Sequence, residues 1–278
     1  MKKRLIIAGI ILAAGIAAML IYRLGNSRDQ GSMTLSGNVE VTEVDVAFKI
    51  PGRVTTLFTD EGRHVQAGDK IALLDNVEYA TQVAQSKAVL EHSNAQLEQA
   101  KNDFTRAEML FKQEAISAQQ MDAAKTAYDV AVAQIRQSTA ALRTSEVRMR
   151  DAVLYAPVSG VVLRKNVEAG ETVGVGTPLF TIGDMANPWV KVYVKEDKLG
   201  LIKLGQKALI STDTYPGKVY DGTVTYISSE AEFTPKNVQT KEERVKLVFG
   251  VKVSVKNIDD ELKPSMPADV RILVKREK

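Results

Sequence analysis

The chain has 278 residues, 45% of them apolar and 26% charged, enough for an ordinary packed core in one large domain or several small ones. Its 37 basic and 34 acidic side chains leave a net charge of +3, too balanced for a nucleic-acid partner. Cysteine is absent, which excludes disulfides, thiolate metal sites, thiol nucleophiles and a lipid-bearing cysteine. The two histidines, His64 and His92, do not fall into a zinc or facial-triad spacing, so no metal and no cofactor is expected.

Lys2, Lys3 and Arg4 precede an apolar run from Leu5 to Tyr22. As a helix this run spans about 27 Å, close to the hydrocarbon thickness of a bilayer. The basic cluster stays cytoplasmic, which puts the rest of the chain outside the inner membrane. Two readings fit, a retained transmembrane anchor and a cleaved signal peptide with a small-x-small site at Gly15-Ile16-Ala17. Either exports the protein. Residues 26–36 are polar and glycine-containing, and read as a linker.

An internal repeat follows. Residues 51–75 and 159–184 superimpose at a constant offset of 108, placing Gly52 on Gly160, Gly62 on Gly170 and Gly68 on Gly176. The same offset places Val54 on Val162, Val65 on Val173, Ile71 on Leu179 and Leu74 on Ile182. Glycines at fixed points supply positive-φ turns, and the short alternating runs between them read as strands. Two such halves make a pseudo-symmetric β-sandwich. Each half resembles half of a biotinyl/lipoyl domain. In carrier domains the halves meet at a tight turn that bears the modified lysine; here residues 76–152 stand in place of that turn, so a carrier role fails.

The insertion contains neither proline nor glycine from Val77 to Asp151 and is rich in good helix formers. Val83, Leu90, Leu97, Phe104 and Phe111 recur every seven residues, as do Met121, Tyr128, Ile135, Leu142 and Met149. Three residues after these come Ser86, Ser93, Ala100 and Ala107, then Ala124, Ala131, Ser138, Ser145 and Ala152. This is a large/small heptad seam. Antiparallel pairing puts its mirror point at Ile116, with the turn near Glu114 to Ser117 and Ser117 as N-cap of the second helix. Each arm extends roughly 50 Å, so the tip is available to a partner.

From Asn187 onward the pattern is strands. Val245, Leu247, Phe249, Val251, Val253 and Val255 alternate with polar or small residues, and Val270, Ile272 and Val274 repeat the pattern. Trp189–Val194 and Thr223–Ser228 are shorter runs. Period two indicates a half-solvated antiparallel sheet or small barrel. Val39 and Val41 have one parity, whereas Val44, Val46, Phe48 and Ile50 have the other, which indicates a bulge or a strand that changes sheets.

Anchor, half-sandwich, hairpin, half-sandwich and barrel, in this nested order, resemble the membrane fusion proteins, or periplasmic adaptors, of HlyD type. The local text agrees, with PGRV, GDKIALLD, APVSGVV, AEFTPKNVQTKEER and PSMPADV; the FTPKNVQT stretch looks like the branch paired with ABC-type exporters. Two departures concern local turns. Glu114 stands where relatives often have glycine before Ala-Ile-Ser, and Ser265 where they often have the glycine of Pro-Gly-Met.

The resemblance implies a non-enzymatic subunit that bridges an inner-membrane exporter, ABC type, to a TolC-like outer-membrane channel. It also implies a homo-oligomeric ring, a hexamer in the family, held to the inner membrane by the N-terminal helix. Adaptors that dock on such channels carry Arg, three residues, Leu, six residues and Ser at the tip, and Arg106, Leu110 and Ser117 match that spacing. Arg would bridge to channel carbonyls or carboxylates, Leu would enter an interhelical groove, and Ser would permit close approach. The plain alternative is a solvated Arg, a seam-flanking Leu and an N-cap Ser. Thr234, Pro235, Lys236, Gln239 and Thr240 form either an exporter-facing loop or an ordinary polar one.

The expected fold is therefore an elongated α+β chain. It consists of an N-terminal membrane anchor or signal segment (1–25), a linker and first barrel strand (26–43) and lipoyl-like half one (44–75). An antiparallel coiled-coil hairpin (76–152), lipoyl-like half two (153–184) and a β-barrel with a membrane-proximal part (185–278) follow. A coiled-coil scaffold or sensor of the envelope, with no transport role, is the competing function.

Overall fold

The computed structural model describes residues 31–233, 247–257 and 259–274. The expected N-terminal membrane anchor or signal segment, residues 1–25, lies outside them. The chain divides into two compact units, one running from Glu43 to Gly183 and the other comprising residues up to Thr42 and from Asp184.

The unit from Glu43 to Gly183 contains the repeat. Half one supplies β2 (Glu43–Ala47), β3 (Gly52–Leu57), β4 (His64–Val65) and β5 (Lys70–Leu74). Half two supplies β6 (Val153–Tyr155), β7 (Gly160–Lys165), β8 (Thr172–Val173) and β9 (Pro178–Gly183). The sheets have orders β2-β9-β7-β4 and β6-β5-β3-β8. Each half therefore forms the centre of one sheet and lends its two remaining strands to the edges of the other. Val54, Val162, Val65, Val173, Ile71, Leu179, Leu74 and Ile182, matched by the repeat, are all buried in one core with Phe48 and Phe180. Each such large aliphatic contributes about 1.5–3 kcal/mol relative to exposure.

Two glycine pairs, Gly62 with Gly170 and Gly68 with Gly176, hold φ between 76° and 99°, as the repeat leads one to expect. The third pair differs. Gly160 has no positive φ; a Cβ there would collide with the carbonyl of Gly183 on β9. A close backbone approach, not a turn, demands this glycine.

Between β5 and β6 stand α1 (Val77–Lys112) and α2 (Ala118–Arg150). The Leu74 N–H donates to the Ala152 carbonyl at 2.9 Å, joining the two ends of the insertion. The Tyr79 hydroxyl donates to the Pro51 carbonyl at 2.7 Å and ties the first turn of α1 to the sandwich. In the seam, Ser86 meets Ser145 and Ser93 meets Ser138, each pair 2.8 Å apart between hydroxyl oxygens. Phe104 stacks on Tyr128 with ring centroids 5.6 Å apart. The serines are buried, whereas the large seam residues Val83, Leu90, Leu97 and Phe104 are half-buried. Two helices alone enclose only the line of closest approach, so bulky side chains overhang its edges.

The other unit is a closed barrel in the order β1-β10-β13-β12-β11-β14. Its strands are β1 (Ser32–Glu40), β10 (Trp189–Lys195), β11 (Lys207–Ser211), β12 (Tyr220–Phe233), β13 (Leu247–Val255) and β14 (Pro267–Leu273), with one helical turn, α3 (Glu196–Leu199), between β10 and β11. Val251, Val253, Val255, Val270 and Ile272 are buried inside. Leu247, from the same alternating series, is 42% exposed, because there β13 pairs with β12 alone and outruns the closed barrel. The parity change before Val44 is a change of sheet: β1 is a barrel strand and β2 a sandwich strand.

Candidate functional site

The hairpin tip is built by two capping devices. At the end of α1 the Ala115 N–H donates to the Leu110 carbonyl at 2.9 Å, and the Glu114 N–H to the Phe111 carbonyl at 3.0 Å. This pair of bonds is a Schellman motif, which needs a left-handed residue after the cap. That residue is Glu114, with φ 57°. A glutamate thus occupies a conformation that glycine adopts at less cost. At the start of α2, Ser117 and Gln120 form a capping box: the Gln120 N–H donates to Ser117 Oγ at 3.3 Å, and the Ser117 N–H to Gln120 Oε1 at 2.9 Å.

Arg106 and Leu110 are one turn apart on α1, at its tip end. Arg106 is 68% exposed and has one ion pair, to Asp103 at 3.7 Å. An exposed pair of that length is worth little, so the guanidinium can exchange it for another carboxylate. Leu110 is 37% exposed and lies between Met109 and Phe111, also exposed. At about 100° per residue these three exposed apolar side chains point to different sides of the helix end. Met109 escaped the sequence reading because it belongs to neither the seam nor the spaced motif. Ser117 is exposed, but its hydroxyl caps α2. Thr234, Pro235, Lys236, Gln239 and Thr240 lie outside the described residues.

The barrel carries an electrostatic cluster that the sequence did not single out. Lys218 Nζ is 2.6 Å from Glu261 and 3.4 Å from Asp259. The Tyr220 hydroxyl donates to Glu261 at 2.7 Å. The bond from Lys218, followed by that from Tyr220, holds the Glu261 carboxyl below the usual range. Lys218 is raised, first by its bond to Glu261. Burial, reinforced by Glu261, pushes the Tyr220 phenol up to about 12. Nearby, the buried Asn257 donates to the Met185 and Leu262 carbonyls and accepts from the Leu262 N–H. These three bonds tie the segment after β13 to the backbone of Met185 and Leu262.

Residues 55–155 match the family model described as the YBHG alpha-helical hairpin domain, and residues 189–272 the YknX-like beta-barrel domain. The UPF0194 membrane protein of Citrobacter koseri is 29% identical, over 93% of this chain and 95% of its own length. That of Yersinia pseudotuberculosis is 29% identical over 97% and 98%. MacA from Actinobacillus actinomycetemcomitans superposes with a TM-score of 0.75 at 21% identity, covering 88% of this chain and 79% of its own. The membrane fusion protein Spr0693 from Streptococcus pneumoniae R6 gives 0.69 at 17% identity, covering 88% and 100%. These two structures share the fold.

A split sandwich that carries a helical hairpin, together with a barrel, is the fold that this chain shares with MacA and with the membrane fusion protein Spr0693. The chain carries a YBHG alpha-helical hairpin domain and a YknX-like beta-barrel domain.

Proposed function

We propose that this chain is the periplasmic adaptor of a tripartite export system, bridging an inner-membrane transporter of ABC type to a TolC-like outer-membrane channel. In this reading the N-terminal segment holds it to the inner membrane, several copies form a ring, and the hairpin tips dock on the channel. The observation that carries the reading is the tip itself. Arg106 and Leu110 are exposed one turn apart, at a turn closed by its own hydrogen bonds and so presented in a set geometry. Arg106 supplies a fork for carboxylates or carbonyls, and Leu110 an apolar knob for a groove between channel helices. Ser117 keeps the tip turn closed and its small side chain leaves room for the channel. The ABC assignment draws on the resemblance of the FTPKNVQT stretch.

The test is in-cell crosslinking from a photoreactive residue at position 110. Capture of an outer-membrane channel, lost in Arg106→Asp, supports docking. No channel adduct from a well-expressed, exported chain would overturn it and favour the scaffold role.

A further inference from the structure

One end of the barrel gathers exposed leucines and lysines. Ser32 of β1 pairs with Leu273 of β14, and Ala208 of β11 with Ile272 of the same strand, so β1 and β11 begin at one end. β10 finishes there too: Val192 pairs with Gly37, and Lys195 lies further on, toward the start of β1. The segment from Lys195 to Lys207, which includes α3, therefore crosses this end. Ile202 turns inward and is buried in the barrel core. Leu201 and Leu204 beside it are 49% and 66% exposed. Lys195, Lys198, Lys203 and Lys207 are exposed around them, against two acids, Glu196 and Asp197, on α3. Leu273 is exposed at the same end.

Gln206 fastens this loop from within. Its Nε2 donates to the Leu201 carbonyl at 3.1 Å, and its Oε1 accepts from the Lys203 N–H at 2.9 Å. The Gly205 N–H donates to the Val224 carbonyl at 2.8 Å, and the Val224 N–H to the Gln206 carbonyl at 2.9 Å. Leu201 and Leu204 are thus presented on a fixed backbone, so little further ordering is needed when something covers them. What covers them follows from where the chain enters. The apolar run ends at Tyr22, and the roughly nine residues from there to Gly31 reach about 30 Å at most. With that run in a bilayer, this is the barrel end tethered close to lipid.

We infer that the loop from Lys198 to Lys207 rests on an anionic phospholipid surface. Leu201 and Leu204 enter the headgroup layer, and Lys198, Lys203 and Lys207 meet the phosphates. Two leucines and three lysines bind a membrane weakly by themselves, but the tether at Gly31 raises their effective concentration at the surface. The lysine stems lie along the apolar layer while their ammonium groups stay in water. The inference rests on the membrane anchoring in the proposed function and does not depend on channel docking.

The absence of cysteine makes an introduced thiol the only one in the chain. Full-length Leu204→Cys would carry a polarity-sensitive fluorophore and be reconstituted into vesicles of phosphatidylethanolamine and phosphatidylglycerol. Val219→Cys is the control, exposed beyond the other end of β11, where Ile210 pairs with Tyr220. Emission at position 204 should shift to the blue and be quenched by spin-labelled lipid severalfold more than at 219. Adding Lys203→Glu and Lys207→Glu, or replacing phosphatidylglycerol with phosphatidylcholine, should bring position 204 down to the level of 219. Equal quenching at the two positions, or quenching indifferent to both charge changes, would overturn the inference. Shielding of position 204 in native membranes but not in vesicles would assign the loop to a protein partner and overturn it as well. Flotation of the vesicles separates this inference from the reading it rests on. A chain that does not float removes the anchoring and this inference together; a floating chain without quenching at 204 removes this inference alone.

Discussion

The hydroxyl oxygens of Ser93 and Ser138 lie 2.8 Å apart, buried in the seam of the hairpin. Each is also within 2.9 Å of the carbonyl four residues earlier on its own helix, Val89 or Gln134. Two protons serve three short contacts, so only two of them are hydrogen bonds at any instant.

The small volume of these serines matters more than their polarity. Ser93→Leu should separate the helices and lower stability by about 1–3 kcal/mol. Ser93→Ala keeps the spacing and should cost about 1 kcal/mol or less. Thermal unfolding followed by far-UV circular dichroism compares the two; equal losses would show that the hydrogen bond, not the spacing, controls the seam.

Glu114 and Ser265 hold φ of 57° and 66°, in the left-handed region that favours glycine. Glu114→Gly and Ser265→Gly should each stabilise the chain by about 1 kcal/mol, the left-handed penalty less the added entropy of the unfolded chain. The measurement is the midpoint of denaturant unfolding. A fall at Glu114 would mean that its side chain makes a compensating interaction at the tip.

Asn257 makes three hydrogen bonds at a buried site, joining the Met185 carbonyl to the backbone of Leu262. Asn257→Ala leaves these groups without partners and should cost about 2–3 kcal/mol. Amide exchange at Leu262 should accelerate by the corresponding factor, while exchange in the hairpin stays unchanged.

The Lys218, Tyr220 and Glu261 cluster gives the barrel a pH window. Glu261 is lowered on folding, so its contribution is present above its unfolded value of 4.5 and fades as the pH falls through the lower, folded one. Tyr220 and Lys218 are raised, so theirs are complete below 10.0 and 10.5 and fade as the pH rises through the folded values, about 12 for Tyr220. Ultraviolet titration of the phenolate should place Tyr220 near 12, and Glu261→Gln should bring it down. An unchanged value would assign the shift to burial alone.

Local periodicity made much of this chain readable. A heptad of large and small residues implies an antiparallel hairpin because seam residues must meet at matching heights; Ser86, Ser93, Ser138 and Ser145 do meet. Ser117 announces itself as a cap by its place ahead of Gln120. The spacing of Arg106, Leu110 and Ser117 is likewise a property of the text. Met109 was silent, since one exposed apolar residue has no periodic signature.

What the sequence by itself determined is every feature with a short repeat distance or a fixed offset: the duplicated half-sandwich, the hairpin, and the alternation of the barrel strands. Each follows from hydrophobic residues seeking one face of a helix or strand. Only the tertiary structure decided the exchange of edge strands between halves, with β4 pairing β7 and β3 pairing β8. The same is true of Lys218 meeting Glu261 across 43 residues of chain and of Asn257 closing onto Met185. Those partners are chosen by where packed strands bring distant backbone and charge together, and no local pattern encodes that proximity.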